Sequence, residues 1–564
     1  MNPLDRINTQ LLILGYQLTH GWVAWAAMYA MVAFFSLGGL RAGKAGWKAY
    51  LAWPGTSAIT TMAAAGLIWL VLCALRSLAG ISLSLFPYVA AGTLLCMVSG
   101  IVGGQLWARL DSQRMKGSHT RGTVIVEGAR FQHRSGRQIK KRARKGLPPL
   151  ITLSGVAVGI ADEVVHFIIL GVTGMGKSTL IREMMYRALH RGDRLVVADP
   201  DGGYLARFYD PKRGDVILNP FDARSARWDL FGELKSHYDI DLLVRSLIPD
   251  EASEANGVWV RYARTLLESV LRQLKAAKID DLGELFRLLY IAEKAELREL
   301  LKGTAASAFL DESSDKQFAG ARSNLTECVK FFEYLKDQTG RAFSVREWVR
   351  NAPRGVLYLP YQADQIPALK GVISTWMRLA MTQLMSQKEH DYRLWFVVDE
   401  LDALGAIDGL GSSLPRLRKF GGRCVLGLQA ISQINLTYGA GAGDTMVENC
   451  NTKMILKCSA SEGGGTACFA SQLIGDREVI RVDRSMSQHA GNTGRHSESH
   501  AERRTLEPAV LPSDISKMPK GMGYLKVASH PDWLLVKFPE YEPPRVADPF
   551  VPGGDFSGAE AATG

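Results

Sequence analysis

A chain of 564 residues with 47% apolar residues is long enough for two or more domains with substantial cores. Its seven cysteines are odd in number, scattered and free of any Cys-x-x-Cys, which argues against a disulfide framework or a zinc site and for a reducing compartment. The formal charge of +11 is concentrated: between Trp107 and Lys145 there are 12 Lys or Arg against two acids, a local excess of +10.

The chain begins with three apolar runs, Trp22–Leu40, Thr56–Leu75 and Leu83–Leu106. Runs of this length read as transmembrane helices. No basic segment precedes the first run, so a cleaved signal peptide is not expected. Arg41, Lys44 and Lys48 precede the second run, and Arg109, Arg114, Lys116 and Arg121 follow the third, so both flanks are expected on the cytoplasmic side. The second and third runs then form a hairpin, while the first either spans or stays embedded. Two readings fit the basic stretch from Arg109 to Lys145: attachment to anionic lipid or contact with nucleic-acid phosphates.

Short apolar alternations at Ile151–Leu153 and Val156–Val158 lead to a buried strand, Phe167–Leu170. Then comes Gly171-Val172-Thr173-Gly174-Met175-Gly176-Lys177-Ser178-Thr179, a full phosphate-binding loop opening a helix. Its glycines allow backbone N–H groups to converge on a phosphate at a helix N-terminus. Lys177 is the residue to reach the terminal phosphates, and Ser178 the hydroxyl to ligate Mg²⁺. The cofactors expected here are therefore ATP and Mg²⁺.

Strands are predicted at Arg194–Ala198, ending in Asp199, and at Val216–Leu218. From Trp228 to Val349 helical periodicity takes over, which predicts a helical insertion. Strands return at Gly355–Leu359 and at Leu394–Val398, the latter ending in Asp399-Glu400. An apolar strand closing on Asp-Glu is the second half of an ATPase site: Asp399 for the Mg²⁺ shell, Glu400 for the attacking water. After Arg416, Arg418 and Lys419, the strand Cys424–Leu428 ends in Gln429, a polar group placed to face the γ-phosphate. Alternating strands and helices predict an α/β fold, a parallel sheet covered on both faces. The polar segment Ser485–Arg504 reads as a mobile loop, Tyr524–Val527 and Trp533–Val536 as late strands, and Glu542–Gly564 as a disordered tail.

Several stretches together resemble the type IV coupling proteins of bacterial conjugation, most closely the F-type members. They are Gly171–Ser178 with Arg191-Gly192-Asp193, then Tyr209-Asp210-Pro211, Ile217–Pro220, Asp222-Ala223-Arg224 and Trp228-Asp229-Leu230. The most specific runs from Leu414 through Arg418–Gly422 to Gly427-Leu428-Gln429, Gln433 and Tyr438-Gly439. The resemblance implies a RecA-like motor domain interrupted by an all-α domain and preceded by a transmembrane domain. The corresponding boundaries are a membrane domain over 1–110, nucleotide-binding halves over 111–227 and 351–545, an all-α domain over 228–350 and a tail over 546–564.

It further implies an inner-membrane homo-hexamer with its motor in the cytoplasm. Such a protein hydrolyses ATP, binds DNA without marked sequence preference and hands a relaxase–DNA complex to a type IV secretion channel. Residue by residue, Lys177, Ser178, Asp399 and Glu400 match the nucleotide-site residues, Gln429 the family's glutamine near the nucleotide, and Arg418 an arginine finger acting on the neighbouring subunit. F-type members carry a sizeable periplasmic loop and a long C-terminal tail; here the apolar runs leave room only for tight turns and the sequence stops soon after Pro552, so neither is expected. Two alternatives are an ATP-gated adaptor and a chromosome-partitioning-type translocase. Glu400 argues against the first, since a binding-only site needs no water-positioning carboxylate. The second is expected to carry a DNA-binding module after the motor, and roughly 60 residues after Arg504 leave little room for one.

Overall fold

The computed structural model describes residues 118–553, apart from 249–253, 312–313, 408, 462–464 and 489–495, with a few single positions before 118. The three apolar runs lie almost wholly outside the described residues, among which no helix is long and apolar enough to cross a membrane. The chain divides into two compact units, 1–122 with 477–507, and 123–476 with 508–564.

The second unit is built on a ten-stranded sheet. Its strands in chain order are β1 (Ile125–Glu127), β2 (Phe167–Leu170), β3 (Arg194–Pro200), β4 (Val216–Ile217), β5 (Gly355–Tyr361), β6 (Leu394–Val398), β7 (Gly422–Leu428), β8 (Thr452–Ile455), β9 (Met522–Lys526) and β10 (Trp533–Lys537). They lie in the order β1-β10-β9-β8-β2-β7-β6-β3-β5-β4. Only β9 runs against its neighbours. Alternate residues supply two cores, as the two-residue repeat of a strand requires. Phe167, Ile169, Val197, Trp395 and Val425 pack with Leu180, Ile181 and Met184 of helix α2 (Lys177–Arg191). Ile168, Val196, Phe396 and Leu426 face the other side, against a larger helical core. Central strands buried on both faces explain why these segments read as continuous apolar runs rather than alternating ones.

Helix α1 (Ala129–Arg144) follows β1, and α2 begins directly after the phosphate loop. Between β4 and β5 the chain is mainly helical, from α3 (His237–Leu247) through α4 (Glu254–Ala276) and α5 (Asp315–Cys328). Ser236 and Asp239 form a capping box that starts α3. The two ends of this insertion are tied at one neck, where Arg227–Trp228 pairs in parallel with Ala342–Phe343. Buried Glu233 accepts hydrogen bonds there from Trp228 Nε1 (3.1 Å), Val345 N (2.6 Å), Ser344 Oγ (3.0 Å) and Arg346 N (3.1 Å).

Two local expectations are corrected. Ser485–Arg504 is not simply a loop: residues 476–488 and 496–508 are strands. They form a three-stranded sheet with Ser118–Gly122. After Met486 the segment lacks large apolar residues, so no alternating pattern marked these strands in the sequence. Nor is 546–564 wholly a loose tail. Val546 N donates to Ala206 O (2.7 Å), Ala223 N to Val551 O (2.8 Å) and Gly553 N to Phe221 O (2.9 Å). Gly202, at φ +62°, lets this strap lie against it, since a Cβ would collide with Pro549 O. Residues 546–553 are held by backbone bonds, which leave no trace in residue composition.

Candidate active site

The C-terminal ends of β2, β3, β6 and β7 meet at one edge of the sheet, as their parallel registers dictate. The phosphate loop leaves β2 there. Gly171 N donates to Leu428 O (3.0 Å) and Val172 N to Lys457 O (2.9 Å), which fixes where the loop starts. A Cβ on Gly171 would sit 2.8 Å from Leu456 Cβ, so no larger residue fits. Gly174 (φ +78°) and Gly176 (φ +110°) take left-handed conformations open to glycine at little cost. The turn ends at the N-terminus of α2.

Beside the loop lies a cleft of ≈ 380 Å³. Thr173, Gly174, Gly176, Lys177, Ser178 and Thr179 line it, together with Asp399, Glu400 and Gln429 from β6 and β7. Gly171, Val172 and Met175 shape the loop from behind, and the partly buried Met175 packs into the core.

Asp399, just past the end of β6, is buried. Its Oδ2 accepts hydrogen bonds from Ser178 Oγ (2.7 Å) and Tyr204 OH (2.8 Å). Its Oδ1 is buried with no hydrogen-bond partner. An orphaned carboxylate oxygen next to a serine hydroxyl is a hard oxygen pair of the kind Mg²⁺ takes. Among the residues present, Ser178 and Asp399 fit a Mg²⁺ that accompanies a bound triphosphate.

Lys177 Nζ donates to Gly171 O (2.7 Å), and its ammonium lies within the field of Asp399, Glu400 and Asp402. Burial lowers its pKa, and the three carboxylates oppose that shift. Glu400 accepts a hydrogen bond on Oε1 from Gln429 Nε2, which orients the carboxylate toward the cleft. Burial first, and then Asp402, raises the Glu400 carboxyl above the ordinary glutamate range. A carboxylate of raised basicity is better suited to accept a proton from water.

Sequence reasoning passed over several residues. Asp199, read only as the end of a strand, is fully buried and accepts from Tyr204 N (2.9 Å) and Leu205 N (2.6 Å). Burial pushes its carboxyl up to about 7. It thereby fixes the turn that delivers Tyr204 to Asp399. Arg182, one helical turn beyond Ser178, and Lys520, Glu540 and Glu542 from the C-terminal segment also line the cleft. The position of Arg182 was legible from helical spacing; the other three reach the site only through the tertiary fold. Glu542 pairs with Arg182 (3.6 Å) and with Arg207.

Arg418 is not brought into this cleft. It is exposed on a 3₁₀ turn, Arg418–Phe420, that precedes β7. The cleft lies at the other end of β7, about 20 Å away at the rise of a strand. The turn is held from behind: Arg423 Nη1 donates to Gly421 O (2.6 Å) and to Asp391 Oδ1 (2.7 Å). His166 Nε2 lies 2.6 Å from Leu414 O, and burial lowers this imidazole to about 4, so the ring is neutral.

Residues 150–539 match the model of the type IV secretion-system coupling protein DNA-binding domain. Coupling protein TraD of Escherichia coli (strain K12) is 28% identical over 468 residues, 81% of this chain and 63% of TraD. The chain therefore spans less than two thirds of TraD's length. The bacterial conjugative coupling protein TrwBdeltaN70, in its unbound monoclinic form, superposes with a TM-score of 0.67 at 30% identity, covering 78% of this chain and 97% of TrwBdeltaN70. The plasmid coupling protein TrwB in complex with ADP and Mg²⁺ gives 0.67 at 30% identity over 77% and 98% of the two chains.

Proposed function

This chain belongs to the type IV secretion-system coupling proteins, and from that premise we propose that it is an inner-membrane ATPase that pumps a relaxase–DNA complex into a type IV secretion channel during conjugation. The observation that carries the reading is the Ser178–Asp399 pair with its orphaned oxygen, set beside a Glu400 carboxylate oriented by Gln429. A site that only binds nucleotide has no need of the last two.

The nucleotide is ATP with Mg²⁺, the class of ligand held by TrwB, whose structures include ADP with Mg²⁺ and the analogue ADPNP. Bound Mg²⁺ supplies charge neutralisation at the transferring phosphoryl group. The loop N–H groups and Lys177 would hold the phosphates, while Ser178 and Asp399 would hold the metal. Glu400 accepts a proton from the attacking water as the water oxygen bonds to the γ-phosphorus and the bridge to ADP breaks. Arg418 cannot serve its own cleft and is assigned to a neighbour's, which makes the working unit a ring, a homo-hexamer by family resemblance. DNA without marked sequence preference, the relaxase and the channel are its partners. The N-terminal apolar runs are its inner-membrane anchor, spanning more than once, with the motor on the cytoplasmic side.

The test is steady-state ATP hydrolysis by the full chain in detergent, with and without DNA, across pH. Hydrolysis should require Mg²⁺ and rise with DNA. Lys177→Ala should lose nucleotide binding and turnover. Glu400→Gln should bind ATP yet turn over slower by about 10²-fold or more. Glu400 must be ionised to accept the proton, and burial raises its carboxyl. Activity should therefore fall with decreasing pH earlier than an ordinary glutamate would dictate. ATP binding without hydrolysis, with or without DNA, would make the chain an ATP-gated adaptor. A Glu400→Gln protein as fast as wild type would remove the water-activating role.

A further inference from the structure

The C-terminal part of the basic stretch found in the sequence folds into α1, which precedes the residues matched by the family model. At 100° per residue, Arg130, Arg134, Arg137, Lys140, Lys141 and Arg144 fall within about 120° of its circumference. All six are exposed, and among the described residues none makes an ion pair or a side-chain hydrogen bond. The arc contains no acidic and no apolar residue.

The opposite face is fixed to the motor. Gln132 Nε2 donates to Ser154 O (2.7 Å) and Lys537 O (2.6 Å), and Ser135 Oγ accepts from Ala157 N (2.9 Å). Phe131 meets His530 edge to face at 4.7 Å. Arg142, basic but half-buried, donates to Pro148 O at 3.2 Å and 3.1 Å and belongs to this docking face rather than to the arc.

We propose that the outward arc of α1 is a binding track for the phosphate backbone of DNA, carried rigidly by the motor. It rests on the reading of the chain as a DNA motor. A lipid bilayer attracts a basic segment by charge alone, which the vesicle measurement below tests, and holds a surface helix more firmly when an apolar face sinks into the headgroup boundary. Here Phe131 is turned into the motor and the outward arc offers nothing to insert. A nucleic-acid backbone asks for the reverse, a rigid row of cations at regular intervals. From Arg130 through Arg134, Arg137 and Lys141 to Arg144 the axial steps alternate between about 6.0 and 4.5 Å, some 21 Å in all. A duplex lying alongside presents about 12 phosphates over that length. Four of the six cations are arginines, whose planar fork pairs with phosphate oxygens through two hydrogen bonds.

The experiment compares the full chain in detergent with the quadruple variant Arg130→Gln, Arg134→Gln, Arg137→Gln, Lys141→Gln. Binding of labelled DNA is titrated over a range of salt, and binding to phosphatidylglycerol vesicles is measured in parallel. All four side chains are exposed and none lines the cleft, so basal ATP hydrolysis should be unchanged, which reports folding. The proposal expects DNA affinity to fall by about tenfold or more and the salt slope of log K to shrink by about 3. Unchanged DNA affinity and slope overturn it. If vesicle binding alone falls, the arc belongs to anionic lipid. Should wild type bind no DNA at all, the DNA-motor reading fails along with it, an outcome distinct from wild-type binding that the variant retains.

Discussion

Tyr204 stands in no motif, yet it reaches Asp399, the carboxylate proposed to hold Mg²⁺. Its hydroxyl donates to Asp399 Oδ2 at 2.8 Å from a fully buried position. A second donor on that oxygen fixes the carboxylate and leaves Oδ1 aimed by geometry rather than by chance. Groups that orient metal ligands are worth 10–100-fold in metal affinity. Tyr204→Phe, which keeps the ring and deletes only the hydroxyl, should raise the Mg²⁺ concentration needed for half-maximal ATP hydrolysis by about that factor. ATP affinity without Mg²⁺ should stay as in wild type. An unshifted Mg²⁺ curve would mean that Ser178 alone orients Asp399. The loop and the Asp-Glu pair were legible because their chemistry is local and spacing encodes it. Tyr204 was not, because its partner is 195 residues away and only the adjacency of β3 and β6 joins them.

Among elements, strand and helix type were largely legible. The central strands are short apolar runs, and burial on both faces makes such runs unmistakable even without alternation. What periodicity could not show is how an insertion is held. Glu233 does this at the neck, where its carboxylate gathers two backbone N–H groups, an indole N–H and a hydroxyl from segments more than 100 residues apart. Removing one partner strands the others, and a buried unsatisfied donor costs about 1–3 kcal/mol. Glu233→Ala should therefore destabilise the protein by about 2–4 kcal/mol in chemical denaturation. Glu233→Gln, which retains acceptor capacity, should cost less. Equal losses for both variants would show that charge rather than hydrogen bonding holds the neck. The strands at 476–488 and 496–508 escaped notice for a related reason. Backbone pairing needs no alternating apolar pattern, and beyond Met486 the sequence offers none for sequence reading to detect.

For the whole molecule, the central claim is that a complete catalytic site needs two chains. Lys177, Ser178, Asp399, Glu400 and Gln429 converge in one cleft, while Arg418 is exposed at the far end of β7. A guanidinium supplied to the γ-phosphate by a neighbour is worth roughly 10³–10⁵ in rate. The turn that carries it is braced by Arg423 against Asp391 and Gly421 O, so the side chain is presented outward from a fixed base. The most direct measurement mixes two defective proteins. Lys177→Ala and Arg418→Ala are each expected to be inactive. In mixed rings, some interfaces pair an intact loop with an intact arginine from the adjacent chain, so hydrolysis should return in part, with a maximum at intermediate mixing ratios. If mixed rings form, as pull-down of differently tagged chains would establish, and hydrolysis stays absent at every ratio, the shared site is contradicted and Arg418 is an exposed arginine on a helix end.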